Sequence, residues 1–90
     1  MIEQQLRTGP VRVKLADAVR AVNARHCEVG GAELPELKQA WLNLDRSLSL
    51  ATLAGDERAA HIAVNRYREE GIRVCDDQAD RLAAKNGGNR

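Results

Sequence analysis

A chain of 90 residues is long enough for one domain, and its apolar content of 43% is normal for a globular protein. Phenylalanine is absent, and the chain holds one tryptophan and one tyrosine. Because strands favour aromatic residues while alanine and leucine favour helices, this composition predicts an all-α fold. The net charge of +1 gives no overall field that would attract DNA or an anionic membrane.

The expected location follows from segments that the sequence lacks. Residues 1–7 do not have the basic start and apolar stretch of a secretory signal. No apolar run approaches the ~20 residues that a membrane-spanning helix needs. The two cysteines, without a secretory signal, are expected to be free thiols in a reducing compartment. We therefore expect a cytoplasmic protein without membrane contact.

The first helix is predicted over residues 10–29. Gly9 and Pro10 mark its start, because proline fits the first helical position, where its missing N–H is not needed. Gly30 and Gly31 mark its end. The residues before Pro10 are left open as a turn or an arm. One apolar stripe, with His26 at its edge, follows the helical period: Val11, Leu15, Ala18, Val19, Val22 and Val29.

The second helix is predicted over residues 34–54, with Pro35 at its start and Gly55 at its end. Its apolar residues are spaced by three and four in a heptad-type seam: Leu34, Leu37, Trp41, Leu44, Leu48 and Ala51. Trp41 is expected in the core; the alternative is an anchor residue facing a second subunit. Three further leucines lie beside the seam, which indicates a central helix or one with a second partner: Leu42, Leu50 and Leu53.

The third helix is predicted over residues 56–85, with Asp56 as its cap. The short connection makes it an antiparallel neighbour of the second helix. Gly71 either lies inside one continuous helix, where it allows a close approach of another backbone, or splits the segment in two. We favour continuity, because the apolar stripe then passes through the glycine: Ala60, Ala63, Val64, Tyr67, Gly71, Val74, Cys75, Gln78 and Leu82. Residues 86–90 are predicted to be a disordered tail.

Acidic and basic residues four apart cover the opposite face of the third helix. The predicted pairs are Arg66 with Glu70, Glu69 with Arg73, Arg73 with Asp77, and Asp77 with Arg81. A solvated face explains this pattern better than paired carboxylates for acid–base work or Mg²⁺. Because charge of both signs favours specificity, we expect a partner to contact this surface: Ile62, Arg66, Glu69, Glu70, Ile72, Arg73, Asp76, Asp77 and Asp80.

The residues that could carry chemistry do not have the spacing of a known site. His26, Cys27, His61 and Cys75 contain no C-x-x-C and no H-x-x-x-H, so zinc binding is not predicted. A cysteine–histidine nucleophilic pair is not predicted either, since no residue orients the base. Packed or edge histidines and two small buried thiols are the preferred interpretation. We predict no catalytic residue, no metal, no cofactor and no enzymatic activity.

An alternative function rests on the basic start of the chain, where residues 1–25 hold five basic and two acidic side chains. A first helix of this kind can lie along phosphates. Aromatic stacking residues and a clear helix-turn-helix pattern are missing. This alternative is a small DNA- or RNA-binding accessory or regulatory protein that uses Arg7, Arg12, Lys14, Arg20 and Arg25.

The stretch GIRVCDDQADR, residues 71–81, resembles the C-terminal segment of a helical phage-encoded anti-CRISPR protein directed at the type I-E system. The matching residues are Gly71, Ile72, Arg73, Val74, Asp77, Asp80 and Arg81. The resemblance covers about an eighth of the chain. It implies a small all-α protein that blocks a partner by binding it, without catalysis and with the option of a homodimer. No functional residue of that family transfers to a numbered position here.

The sequence as a whole predicts one helical domain over residues 1–85, as a three-helix bundle or a helical hairpin with an N-terminal helix. A dimer is predicted, because the chain holds too little large apolar volume to cover a helix roughly 40 Å long. The predicted function is an interaction protein that binds and inhibits another macromolecule, such as a host defence component.

Overall fold

The computed structural model describes residues 9–87, and this part of the chain contains three α-helices and no strand. We name them α1 (Gly9–Glu28), α2 (Pro35–Ala54) and α3 (Glu57–Gly87). The all-α prediction is confirmed, and every boundary lies within two residues of its predicted position. α3 includes Asn86 and Gly87, the first two residues of the predicted tail. Residues 1–8, with Arg7, and residues 88–90 lie outside the described range.

α3 is the central helix, and α1 and α2 each pack along it. The two-residue turn after α2 makes α2 and α3 antiparallel neighbours, as predicted. α1 runs in the same direction as α3, because Val22 lies against Gly71 and Arg25 reaches Asp76 further along. α1 and α2 contact each other much less than either contacts α3. The result is an up-down-up bundle whose third side, between α1 and α2, is comparatively open.

Backbone geometry at the helix ends explains why the boundaries could be predicted. Leu34 is extended before Pro35, as a residue preceding proline prefers. Gly55 ends α2 with φ of 65°, in the left-handed region that suits glycine. The N–H of Asp56 then donates to the carbonyl of Ala51 at 2.9 Å. The Asp56 carboxylate accepts the N–H of Ala59 at 3.0 Å, which confirms Asp56 as the cap of α3.

The side chains that are fully buried in the core are small or medium-sized. The largest fully buried ones are Val11, Val22, Val64 and Cys75. The buried cluster joins all three helices and contains Val11, Ala18, Val22, Ala40, Leu44, Leu48, Ala51, Ala60, Ala63, Val64 and Tyr67. The predicted stripe of α1 is confirmed, with Leu15 and Val19 partly buried against this cluster.

Trp41 is the main departure from the predicted core. Its side chain is 44% exposed, and the neighbouring Ala40 is buried in its place. Ala40 and Ala63 line the same crevice between α2 and α3, and side chains this small bring the helices too close for an indole ring. Trp41 lies instead on the side of α2 nearest α1, where it packs edge-on against Tyr67 with ring centroids 5.6 Å apart.

Gly71 lies inside the uninterrupted α3 and is buried, so the prediction of a continuous helix is confirmed. A Cβ atom at this position would come within 2.8 Å of Val22 Cγ2 and 2.9 Å of Val22 Cγ1. Glycine is therefore required by the close approach of α1 to α3. The destabilisation that glycine causes inside a helix is offset by this packing.

The predicted apolar stripe of α3 is only partly buried. Cys75 is fully buried, whereas Leu82, at the end of the stripe, is 39% exposed. This end of the stripe is exposed because α1 is too short to cover it, since α1 ends at Glu28, near Asp76. Residues 80–85 are exposed, and this end of α3 extends past the three-helix core.

Candidate functional site

The outer face of α3 lies on the side of the helix opposite the buried Gly71, and its edges adjoin α1 at Asp76 and α2 at Ile62. Along it, exposed residues recur at spacings of four and three, and they are the greater part of the predicted partner surface. We define this outer face of α3 by its exposed members Ile62, Arg66, Glu69, Arg73, Asp76, Asp77 and Asp80. Half of the Ile62 side chain is exposed, in an otherwise charged surface.

Two residues predicted for the partner surface do not belong to this face. Ile72 is partly buried and packs against the core cluster, and it also lines a groove beside Glu69 and Arg73, so its role as a partner contact stays a prediction. It lies 100° around the helix from Gly71, which turns it towards α1. Glu70 is also partly buried, and it lines the crevice between α2 and α3.

The predicted ladder of ion pairs along α3 does not form. Among residues 9–87, the ion pairs within 4.0 Å are Asp17 with Arg20, Arg25 with Glu28, Arg25 with Asp76, and Glu57 with His61. Exposed pairs gain little free energy, because holding two long side chains together costs entropy. The consequence is that Arg66, Glu69 and Arg73 are not neutralised by contacts within the described part of the chain.

Asp76 differs from the rest of the outer face because it is held by α1. Arg25 Nε donates to Asp76 Oδ1 at 2.8 Å, and Arg25 Nη1 donates to Glu28 Oε2 at 2.9 Å. The hydrogen bond to Asp76, followed by the one to Glu28, raises the pKa of Arg25 above its ordinary value. Asp76 thus joins α1 to α3, and its carboxylate is less free than the others to meet a partner.

A groove between α2 and α3 continues the outer face towards α2. Ala54 and Ala59 line it together with Leu50, Ile62 and Arg66. Its volume is about 340 Å³. Leu50 is 60% exposed, so two large apolar side chains stand at the groove with a guanidinium beside them. The sequence signal for Leu50 was its place outside the seam of α2, but only the fold shows that it lies near Ile62.

A second groove lies on the open side between α1 and α2 and holds Trp41. Val19, Leu37 and Tyr67 line it with the indole, and its volume is about 400 Å³. His26, at the rim, forms a hydrogen bond with the carbonyl oxygen of Ala32. This groove arises because α1 and α2 are held apart by α3, which the sequence pattern does not reveal.

The basic residues of α1 do not converge on one strip. Arg12, Lys14 and Arg20 are exposed at different angles around the helix, and Arg20 lies 3.7 Å from Asp17. Arg25 is engaged with Asp76 and Glu28. The described basic residues therefore do not form a continuous track for a phosphate backbone.

The histidines and cysteines lie in different surroundings. Cys75 is buried, and burial raises the pKa of its thiol, partly opposed by the charge of Arg25. Cys27 is exposed, so the expectation of two buried thiols is wrong for this residue, which lies on the solvent side of α1. His61 Nε2 lies 3.6 Å from Glu57. Within residues 9–87, no three His, Cys, Asp or Glu side chains are placed to hold a metal ion.

Comparison of the chain with protein-family models, with curated proteins and with solved structures gave no match. Within the described residues, none of the helices combines the length and the hydropathy needed to cross a bilayer.

Proposed function

We propose that this protein is a small non-enzymatic binding protein of the cytoplasm that inhibits another protein by covering its surface with the outer face of α3. The proposal rests on the exposed Ile62 beside Leu50. These two apolar side chains lie at one end of a surface that carries both positive and negative charges. Large apolar side chains in a polar surround are typical of the centre of a protein interface.

The apolar part of the surface supplies the affinity in this proposal. Leu50 and Ile62 flank a groove floored by alanines, into which a partner can place an apolar side chain. Arg66 lies at the rim of the groove, and arginine is enriched at interfaces because its planar guanidinium binds carboxylates with two hydrogen bonds.

The charged part supplies the specificity. Arg66, Glu69 and Arg73 have no ion-pair partner within 4.0 Å among residues 9–87. A partner with complementary charges can engage them without first breaking internal ion pairs, and a mismatched partner is rejected by like charge.

The proposed target class comes from the resemblance of residues 71–81 to an anti-CRISPR protein of the type I-E system. It implies a bacterial defence component as the protein that is bound and blocked. Nucleic-acid binding through α1 is the less supported alternative, because its basic residues are dispersed and Arg25 is engaged.

The test measures binding of the purified protein to a purified type I-E effector complex, and separately the capture of proteins from a nuclease-treated lysate of the source organism. We expect Ile62→Glu to weaken binding at least about tenfold, as loss of an interface anchor does. Val13→Glu is the matched control, since Val13 is 61% exposed on α1, away from the outer face of α3.

The outcomes separate the parts of the proposal. Binding to a captured protein but not to the effector complex would remove the target class and keep the binding surface. Equal binding by Ile62→Glu and wild type would refute the surface. Retention on heparin that falls steeply with salt, with no protein captured, would instead support the nucleic-acid alternative.

A further inference from the structure

We propose that the crevice between α2 and α3 binds a carboxylate of the partner protein between Arg46 and Arg66, and that the adjoining groove takes an apolar side chain of the same partner segment. Arg46 belongs to α2 and Arg66 to α3, and both line the crevice. Both side chains are exposed, and neither forms an ion pair within 4.0 Å among residues 9–87. Two guanidinium groups on neighbouring helices therefore flank one cavity, and neither is held by an internal carboxylate.

The crevice and the groove adjoin each other along the seam of α2 and α3. Ser47, Ala63 and Arg66 line both of them. Arg66 thus lies where the apolar part of the seam meets the charged part. A partner segment that follows the seam contacts both parts.

The antiparallel direction of α2 and α3 sets the spacing between the two parts. Leu50 and Ile62 flank the groove from opposite helices. Arg46 precedes Leu50 by four residues, and Arg66 follows Ile62 by four. Because the helices are antiparallel, these two steps lead in the same direction in space. The pair of arginines therefore lies one helical turn, about 6 Å, from the pair of apolar side chains.

The charge of the crevice suits a single carboxylate. Glu70 is partly buried and lines the crevice with Arg46 and Arg66, so two positive charges and one negative charge leave a net charge of +1. A guanidinium can bind a carboxylate with two parallel hydrogen bonds. Asn43 also lines the crevice, and its oxygen accepts a hydrogen bond from Gln39 at 3.0 Å, which leaves its amide N–H groups as further donors.

The apolar groove favours a protein segment over a nucleic acid as the occupant. A phosphate backbone supplies the negative charge without an aliphatic side chain to fill the space between Leu50 and Ile62. A row of phosphates along the seam would also meet the carboxylates of Glu70 and Asp56, and like charges repel. The segment that fits carries an apolar side chain and a carboxylate about 6 Å apart, as at positions i and i+4 of a helix.

The inference rests on the proposed function for its partner, and it adds Arg46, which lies outside the outer face of α3, to the contact. The site itself can be measured without the partner. Failure of the site and failure of the proposed function are therefore distinguishable.

The first test titrates the full chain, labelled with ¹⁵N and ¹³C, with sodium hexanoate, which joins a short alkyl chain to a carboxylate. The Nε–H signals of Arg46 and Arg66 and the methyl signals of Leu50 and Ile62 should shift together in the NMR spectrum. For a ligand of about eight non-hydrogen atoms we expect a dissociation constant on the order of 10 mM. Absence of these shifts overturns the site.

Matched probes and variants separate this site from general attraction to arginine. Acetate and inorganic phosphate lack the alkyl chain and hexylammonium lacks the anion, so each should bind at least about tenfold more weakly than hexanoate. Arg46→Gln should weaken hexanoate binding about tenfold. Arg12→Gln, on the exposed side of α1, should leave it unchanged. Phosphate that binds as tightly as hexanoate, or equal shifts at Arg12, overturns the proposal.

The second test uses the protein captured in the test of the proposed function. Arg46→Glu should weaken its binding at least about tenfold, and Arg12→Glu should bind it like wild type. If Arg46→Glu binds like wild type while Ile62→Glu does not, the carboxylate site is overturned and the proposed function stands. Hexanoate binding at Arg46 and Arg66 without any captured protein would refute the proposed function and support the site.

Discussion

Replacing Gly71 by alanine tests the close contact between α1 and α3. Two effects oppose each other in this substitution. Alanine is the better helix former and should stabilise α3 by roughly 1 kcal/mol. The new Cβ, however, would lie 2.8 and 2.9 Å from the two methyl groups of Val22. Overpacking of a close-packed core costs about 1–3 kcal/mol.

The packing cost should prevail because Val22 cannot move away. Its side chain is fully buried, and a β-branched residue in a helix is restricted to one main rotamer. α1 must then shift as a whole, against the contacts of Val11 and Ala18 in the same core. The net expectation for Gly71→Ala is a loss of about 1 kcal/mol in the free energy of unfolding, within a range of about 0–2.

A second substitution should reverse the sign of the effect that Gly71→Ala has on the free energy of unfolding. Val22→Ala removes both methyl groups that the new Cβ would meet. In the Val22→Ala background, Gly71→Ala should therefore raise the free energy of unfolding, by up to about 1 kcal/mol from helix propensity. Urea denaturation of wild type, the two single variants and the double variant measures this coupling. Stabilisation by Gly71→Ala in the wild-type background, or additive effects of the two substitutions, would refute the close contact.

Four further predictions concern the other contacts of the bundle. Trp41→Ala should lower the free energy of unfolding, measured by urea denaturation, by about 1–2 kcal/mol. This is less than the loss of about 3–5 kcal/mol for a fully buried tryptophan, because Trp41 is 44% exposed; a larger loss would place the indole in the core. One thiol, Cys27, should label rapidly in the native protein, and Cys75 should label only on unfolding. Burial raises the pKa of the Cys75 thiol in the folded state, so the contribution of Cys75 to the free energy of unfolding should be constant at neutral pH and fall above about pH 9. The fall should be less steep in Cys75→Ala, and a pH-independent free energy of unfolding up to about pH 10 would contradict this. Asp76→Asn should lower the melting temperature slightly at low salt and not at high salt, since its bond to Arg25 is solvent-accessible; an effect unchanged by salt would contradict a screened ion pair.

The helix boundaries could be predicted from the sequence because they depend on local chemistry. Pro35 restricts the backbone, and Gly55 permits the left-handed conformation that ends α2. The Asp56 carboxylate reaches an N–H three residues away. Gly71 could also be interpreted from its place in the apolar stripe. These signals act within one or two helical turns and need no knowledge of the neighbouring helices.

The side-chain environments could not be predicted where they depend on how the helices meet. The heptad spacing of α2 predicts that Trp41 is buried and Ala40 is not. The short distance between α2 and α3 leaves room only for the smaller residue, so Ala40 is buried instead. Ile72 has the spacing of an exposed residue and is partly buried against the core cluster. The ion pairs of α3 have suitable spacing, yet exposed side chains gain too little from pairing to be held together.

The proposed binding surface could be predicted in part. Ile62, Arg66 and Glu69 were identified from their position opposite the apolar stripe of α3, and they are exposed. The contribution of Leu50 comes from another helix and depends on the antiparallel packing of α2 and α3. Leu42 and Leu53 could be noticed as leucines outside the seam, whereas their exposure required the fold.

Hydroxyl-radical footprinting of the protein, free and in complex with the target that it captures, tests the proposed binding surface most directly. Ile62 and Leu50 should become protected in the complex, and Val13 on α1 should react equally in both states. Protection confined to α1, with Ile62 unchanged, would contradict the assignment of the outer face of α3 as the binding surface.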